Sequence, residues 1–303
     1  MSCEESIGWA SVSIQPYFDT ESGAHLKKPE TLGRPGRVSS GFMYRRKGEW
    51  FLVCSWKGLT GIDPYTINSL PNWPTVTALD HYTPPSGYMI SFFRKDIATK
   101  SVNLGERVQV FFTTNLDERL SSWFVHPKHR QGTDVAVIPL ETIEQDAPEA
   151  LTLAANEIAM SAMSVQLADD IYIVGFPFGT HLHPVWKRAT VAQDPQLMTE
   201  LAQPPYYLID TGTYEGLWGA PVYRYSNFRY RTEDGKVLQI SQGSVAKLIG
   251  VFTGEFPVQK PGSNSKIGIV RPIELVNETI DAKSLHAWKE LSPFAFVSGL
   301  DFN

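Results

Sequence analysis

Short apolar runs, each closed off by a turn, recur along nearly the whole chain. Ser39-Ser40-Gly41-Phe42-Met43-Tyr44 and Glu49-Trp50-Phe51-Leu52-Val53-Cys54 flank the polar turn Arg45-Arg46-Lys47-Gly48, a β-hairpin pattern. Further strands are expected at 88–94, 109–113, 135–140, 171–175, 188–192, 206–209, 220–225, 247–253 and 266–272. Gly, Pro, Asn or Asp bounds most of them. Many short strands joined by turns build sandwiches or barrels, whereas a parallel sheet needs regularly interleaved helices.

Helical signals are few. Pro148 precedes an Ala-rich, proline-free stretch, so 149–164 is expected to be a connecting helix. Residues 273–281 and 282–290 are expected to form one or two C-terminal helices. Pro, Asn, Gly and polar residues mark 63–85, 194–205 and 255–264 as surface loops. The expected division is an N-terminal extension (1–37), a first barrel (38–145), a connecting segment (146–164), a second barrel (165–275) and a helical tail (276–303).

Composition narrows the function classes. The 303 residues carry a net charge of −5, which speaks against a phosphate-binding groove and so against nucleic acid. No apolar run is long enough to span a bilayer, so no membrane partner is expected. Cys3 and Cys54 are the only cysteines. A secreted domain of this kind usually carries several bridges, so a reducing, cytoplasmic location is expected. The start Met1-Ser2-Cys3-Glu4-Glu5-Ser6 lacks a basic, then apolar, leader.

Chemistry concentrates in three stretches: Leu52-Val53-Cys54-Ser55-Trp56-Lys57-Gly58, then Thr133-Asp134-Val135-Ala136-Val137, then Gly216-Leu217-Trp218-Gly219-Ala220-Pro221. Nucleophilic acyl transfer needs a hydroxyl or thiol on a tight turn, with backbone N–H groups facing the oxyanion. It also needs a base, and a carboxylate to orient that base. Gly216 and Gly219 supply such a turn, because glycine tolerates backbone angles that other residues avoid. The frame reads G-x-nucleophile-G-x-P.

In this frame the chain resembles a bacterial trypsin-like serine peptidase domain of the chymotrypsin type. Six segments agree in order. The 40–53 hairpin resembles the one leading to the catalytic His, and 133–137 the catalytic Asp segment. Val174-Gly175-Phe176-Pro177-Phe178-Gly179 with Pro184-Val185-Trp186-Lys187-Arg188 resembles the opening of a second barrel. Leu208-Ile209-Asp210 leads into the nucleophile turn, Leu248–Gly254 resembles the cleft strand, and Gly268-Ile269-Val270 precedes the last helix. The likeness covers most of residues 38–280. It implies an all-β fold of two packed Greek-key barrels with a C-terminal helix, and a site in the crevice between them. It further implies an oxyanion-type turn at Gly216, Trp218 and Gly219, and a cleft lined by Gly212, Val251, Thr253 and Gly254.

Two of the three positions implied by the resemblance to be catalytic are substituted. Lys57 stands where the base belongs and Trp218 where the nucleophile belongs; Asp134 alone agrees. Gly58, Leu217 and Glu215 depart from the usual pattern as well. An indole N–H only donates, so Trp218 is no nucleophile, and its bulk would occupy the space a scissile carbonyl must enter. Lys57 is expected to pair with Asp134, because a buried carboxylate needs a partner. The expectation is a catalytically silent module that binds a protein or peptide partner, with no cofactor and an undetermined oligomeric state. The alternative is an active hydrolase with an unconventional nucleophile. Cys54, in a strand, reads as packed and inert. His181 and His183 form an H-x-H that could face a metal, but no further ligand lies nearby, so both read as loop histidines.

Overall fold

The structure, a computed structural model, describes residues 3–18, 34–61, 64, 87–96, 99, 102–113, 120–159, 162–179, 183–197, 202, 204–212, 214–256 and 266–287. His181, the expected loops 63–85 and 255–264 except at 64, 255 and 256, and the end of the expected helix at 282–290 lie outside these residues.

The first half is one curled antiparallel sheet. Its strands are β1 (Ser11–Phe18), β2 (Arg34–Pro35), β3 (Ser39–Arg46), β4 (Glu49–Ser55), β5 (Gly87–Lys95), β6 (Val102–Thr113), β7 (Leu120–Phe124) and β8 (Val135–Pro139). The order is β7-β8-β4-β3-β1-β5-β6, with β2 on the flank of β1. Val12, Ile14, Met43, Leu52, Ile90, Trp123 and Ala136 fill a single core on its inner side. The curl brings Tyr88 of β5 edge-on to Trp123 of β7, ring centroids 6.0 Å apart. No ladder joins β6 to β7 among the described residues, so the expected first barrel is observed as a curled sheet. Its strand β1 comes from the stretch expected to be an N-terminal extension.

The second half closes. β9 (Asp170–Gly175), β10 (Val185–Val191), β11 (Tyr207–Asp210), β12 (Pro221–Ser226), β15 (Val245–Glu255) and β16 (Ile267–Pro272) form a six-stranded barrel in the order β9-β10-β11-β16-β15-β12, β12 returning to β9. β11 thus neighbours the last strand, and the chain returns to β9 through β12, a Greek-key connection. Side chains alternate along each strand, so Ile171, Ile173, Ala189, Val191 and Val222 point inward together; a register shift in the β12–β15 ladder at Ile249 lets both Ile249 and Phe252 join them. A separate hairpin, β13 (Arg229–Arg231) and β14 (Val237–Gln239), extends from β12.

A third core joins the halves. Phe42, Tyr44, Phe51, Val53, Val135 and Val137 meet Val174, Tyr223, Ala246, Leu248 and Val251. This explains the unbroken apolar run of β4: Leu52 and Cys54 face the first core while Phe51 and Val53 face the shared one. Full burial of Phe42 and Phe51 contributes about 1.5–3 kcal/mol each.

Helices are short. The N-terminal α1 (Cys3–Ala10) sends Ile7 and Ala10 into the shared core, and α2 (Trp56–Thr60) follows β4. The expected helix at 149–164 is not formed as such. A 3-10 turn at Pro148–Ala150 and the single helical turn Ala155–Ile158 stand in its place. The expected C-terminal helix is present as Ile273–Ala282, its Val276 and Ile280 buried on the shared core. Instead of a second helix, Leu285–Ala287 forms β17, an edge strand on β7.

Candidate functional site

β4 ends by running directly into α2, and that junction builds the first side of the site. Ser55 caps the helix, its Oγ accepting from Gly58 N at 3.2 Å. Gly58 permits close approach to β3: a Cβ there would stand 2.8 Å from Ser39 Oγ. Asp134 follows a 3-10 turn in the left-handed region (φ 51°), a conformation Asp tolerates better than most residues. It is fully buried. Its Oδ1 accepts from Lys57 N at 2.7 Å and from Ser55 Oγ at 3.0 Å. A buried carboxylate oxygen receiving a backbone N–H and a hydroxyl forms charge-assisted bonds. The expected pairing is of the Lys57 ammonium with Asp134; the bond observed comes instead from the Lys57 main chain, while the ammonium lies over Trp218.

The second side is the Gly216–Pro221 turn. Gly216 (φ 97°) and Gly219 (φ 86°) both adopt backbone angles suited to glycine. Space closes the same two positions. A Cβ on Gly216 would fall 2.4 Å from Phe176 O, and one on Gly219 2.2 Å from Ser40 O and 2.6 Å from Ser55 N. The turn is thus wedged onto β3 and β4 of the other half. Ser40 fastens it: its N–H donates to Trp218 O at 2.9 Å, its Oγ donates to Gly216 O at 2.6 Å, and Oγ accepts from Phe176 N at 2.9 Å. Leu217, unusual for its apolar character, is fully buried inside the barrel.

Trp218 bridges the two sides. The Lys57 ammonium lies over its ring, 4.4 Å from the centroid. On the barrel side, a Cβ built on Gly254 would stand 3.5 Å from Trp218 Nε1 and 3.7 Å from Cδ1, so the indole edge faces β15 at Gly254. Gly219 N donates to Phe252 O at 2.8 Å, fixing the turn to the same strand. Val251 and Thr253 are buried, Val251 in the core shared by the two halves, whereas Gly212 is exposed with open space around it. These contacts bring Lys57, Asp134, Trp218, Gly216, Gly219 and Gly254 of the expected residues together.

The potential nucleophiles nearest the turn are occupied or shut away. Ser55 is buried and donates to Asp134; Ser39 and Ser40 are buried and donate to main-chain oxygens. Cys54 is fully buried, and burial, reinforced by the charge of Asp134, pushes its thiol well above the usual range. A thiol so raised is neither nucleophilic nor a metal ligand at neutral pH.

The described histidines near a carboxylate lie elsewhere. His126, buried in the β7–β8 turn, accepts from Lys128 N and His129 N on Nδ1, so Nε2 carries the proton and donates to Glu278 Oε2 at 2.8 Å. Both ring nitrogens are engaged in tying that turn to the C-terminal helix. The neighbouring His129 is lowered to about 4, chiefly by burial and then by His126. Among the described residues no group of three or more His, Cys, Asp or Glu is arranged to hold a metal, and no helix is long and apolar enough to cross a membrane.

Sequence reasoning overlooked Ser40 and the carboxylate-binding role of Ser55. Single serines in strands have no motif to announce them; only the close approach of Gly219 to the backbone of both reveals the role. No protein-family model matches the chain, and a search of curated proteins finds no match.

Proposed function

We propose that this chain is a trypsin-like serine-peptidase fold, with two Greek-key barrels, that has lost catalysis and serves as a protein- or peptide-binding module. The observation that carries the reading is the indole of Trp218, lying under the Lys57 ammonium and facing Gly254 of β15, where a nucleophile and its substrate would meet. Support for the ancestry comes from the Greek-key order of the closed barrel, the buried Asp134 at the α2 N-terminus and the two strained glycines of the turn. Fold and chemistry separate readily, so a scaffold of this type retains binding surfaces after its catalytic groups change. Its partner is a protein or peptide, in a reducing compartment. The test is turnover by the purified full chain of labelled casein and of an activated nitrophenyl ester. Background rates are expected with both. Saturable turnover that disappears on Asp134→Ala would return the chain to the hydrolases.

A further inference from the structure

The β13–β14 hairpin offers a second, independent surface. It lies outside the barrel ladder; beyond its own pairing, a single antiparallel bridge joins Thr232 to Met163. Its two ends are firmly built. At the tip, Thr232 N donates to Lys236 O at 2.8 Å, Gly235 turns the chain at φ 83°, and Thr232 Oγ1 donates to Asp234. At the base, Ile240 N donates to Phe228 O at 2.8 Å and Ser226 Oγ to Arg229 O at 2.7 Å. A two-stranded hairpin standing alone in water is marginal; here residues 162–164 brace the β13 side, Glu233 N donating to Ala162 O at 3.2 Å.

Its free edge can be located. Phe228–Ile240 and Thr232–Lys236 are hydrogen-bonded pairs, and bonded pairs alternate along an antiparallel ladder. Tyr230–Leu238 is therefore bonded too, while Arg231–Val237 and Arg229–Gln239 turn their main-chain groups outward. On the β13 side the outward Arg231 O accepts from Ser164 N at 2.9 Å. On the β14 side no strand among the described residues pairs with Val237 and Gln239. The edge carries exposed Val237 (59%) and Leu238 (42%), and within Val237–Gln239 it has neither the Lys nor the Pro that usually guards such a strand; Lys236, just before it, is paired with Asp234.

The two faces differ. Phe228, Tyr230, Leu238 and Ile240 share one face, and Phe228 is 62% exposed. Arg229 and Arg231 share the other with Val237 and Gln239. Neighbouring cations are neutralised: Lys236 by Asp234, Lys247 by Glu233, Arg224 by Asp169 and Arg188 by Asp170. Arg229 and Arg231 make no ion pair among the described residues, in a chain of net charge −5.

We infer that β14 is a docking edge for an extended segment of a partner protein, added as a third strand. Its side chains alternate between apolar, over the Leu238 face, and carboxylate, toward Arg229 and Arg231. Main-chain bonds to Val237 and Gln239 supply affinity, and the two guanidiniums supply selectivity. The surface lies outside the Trp218 crevice, so it stands whether or not that site is silent.

Fluorescence anisotropy with the full chain tests it, using labelled peptides of about seven residues. One alternates valine with glutamate; a matched control alternates valine with lysine. Saturable binding of the acidic peptide alone is expected. Arg229→Glu with Arg231→Glu, both at exposed positions, should weaken it by about tenfold or more and transfer preference to the lysine peptide. Leu238→Ser should weaken the acidic peptide without changing the preference. Equal binding of both peptides, or binding of the acidic one that ignores the arginine reversal, overturns the inference. So does self-association in analytical ultracentrifugation, or sedimentation with phosphatidylserine vesicles, that the same reversal abolishes.

Discussion

Lys57 and Trp218, one from each half of the molecule, are in direct contact, the ammonium 4.4 Å from the indole centroid. The two positions that the proposed function reads as substituted thus contact each other. A cation over an aromatic face is worth about 0.5–1 kcal/mol when exposed and up to about 2 when desolvated. A double-mutant cycle with Lys57→Met and Trp218→Leu, read by urea unfolding, should give a coupling of about 0.5–1 kcal/mol, since both residues are only partly buried. Additive effects would mean the contact contributes nothing.

Asp134 organises the α2 junction through Lys57 N and Ser55 Oγ. Asp134→Ala leaves both donors without this acceptor and should cost about 1–3 kcal/mol. Asp134→Asn keeps an acceptor and tolerates the left-handed backbone, so it should cost less. Equal losses in chemical denaturation would show that the acceptor role is minor.

The turn glycines are distinguishable from an ordinary loop glycine. Gly216→Ala and Gly219→Ala combine a positive φ with a collision against main-chain oxygen, and each should lower stability by more than about 2 kcal/mol. Gly212→Ala enters open space and should change it by less than about 0.5 kcal/mol. Thermal melts of the three variants provide the comparison.

Cys54 should resist modification. Its burial and raised thiol predict no reaction with a thiol reagent in the native chain at neutral pH, and full reaction after denaturation. Native-state labelling with Cys54 identified by peptide mapping would contradict its packing.

Acid should weaken the fold through His129. Its folded value, about 4, lies below the ordinary 6.5, so the unfolded chain binds the proton more readily. The contribution is full above pH 6.5 and is lost as pH falls toward 4. His129→Gln should flatten that part of the stability profile. An unchanged slope would assign it to other groups.

Much of the strand architecture was legible because the physics there is local. The runs at 88–94, 135–140, 171–175 and 247–253 all lie within or against observed strands, since burial on one or both faces writes itself into side-chain alternation. Ser11-Val12-Ser13-Ile14 carries the same period and forms β1, but its place near the terminus disguised it. The 149–164 helix failed for a tertiary reason. Ala150, Ala155 and Ala159 are small to allow close packing, and Asn156 exchanges bonds with the Arg45 main chain at 2.7 and 3.0 Å. Composition rich in alanine signals helix and tight packing alike. The stack of Lys57 on Trp218 was beyond sequence reasoning, which sought the partner of Lys57 in a carboxylate. Two residues so distant in the chain meet only because the shared core brings both halves to one crevice.

The central claim, that an indole and an amine have displaced the nucleophile and the base, is tested most directly by covalent chemistry. The full chain treated with a fluorophosphonate probe should keep its unmodified intact mass, while an active serine hydrolase in the same tube is labelled. A stoichiometric adduct mapped to a serine or cysteine beside the Trp218 turn would contradict the account.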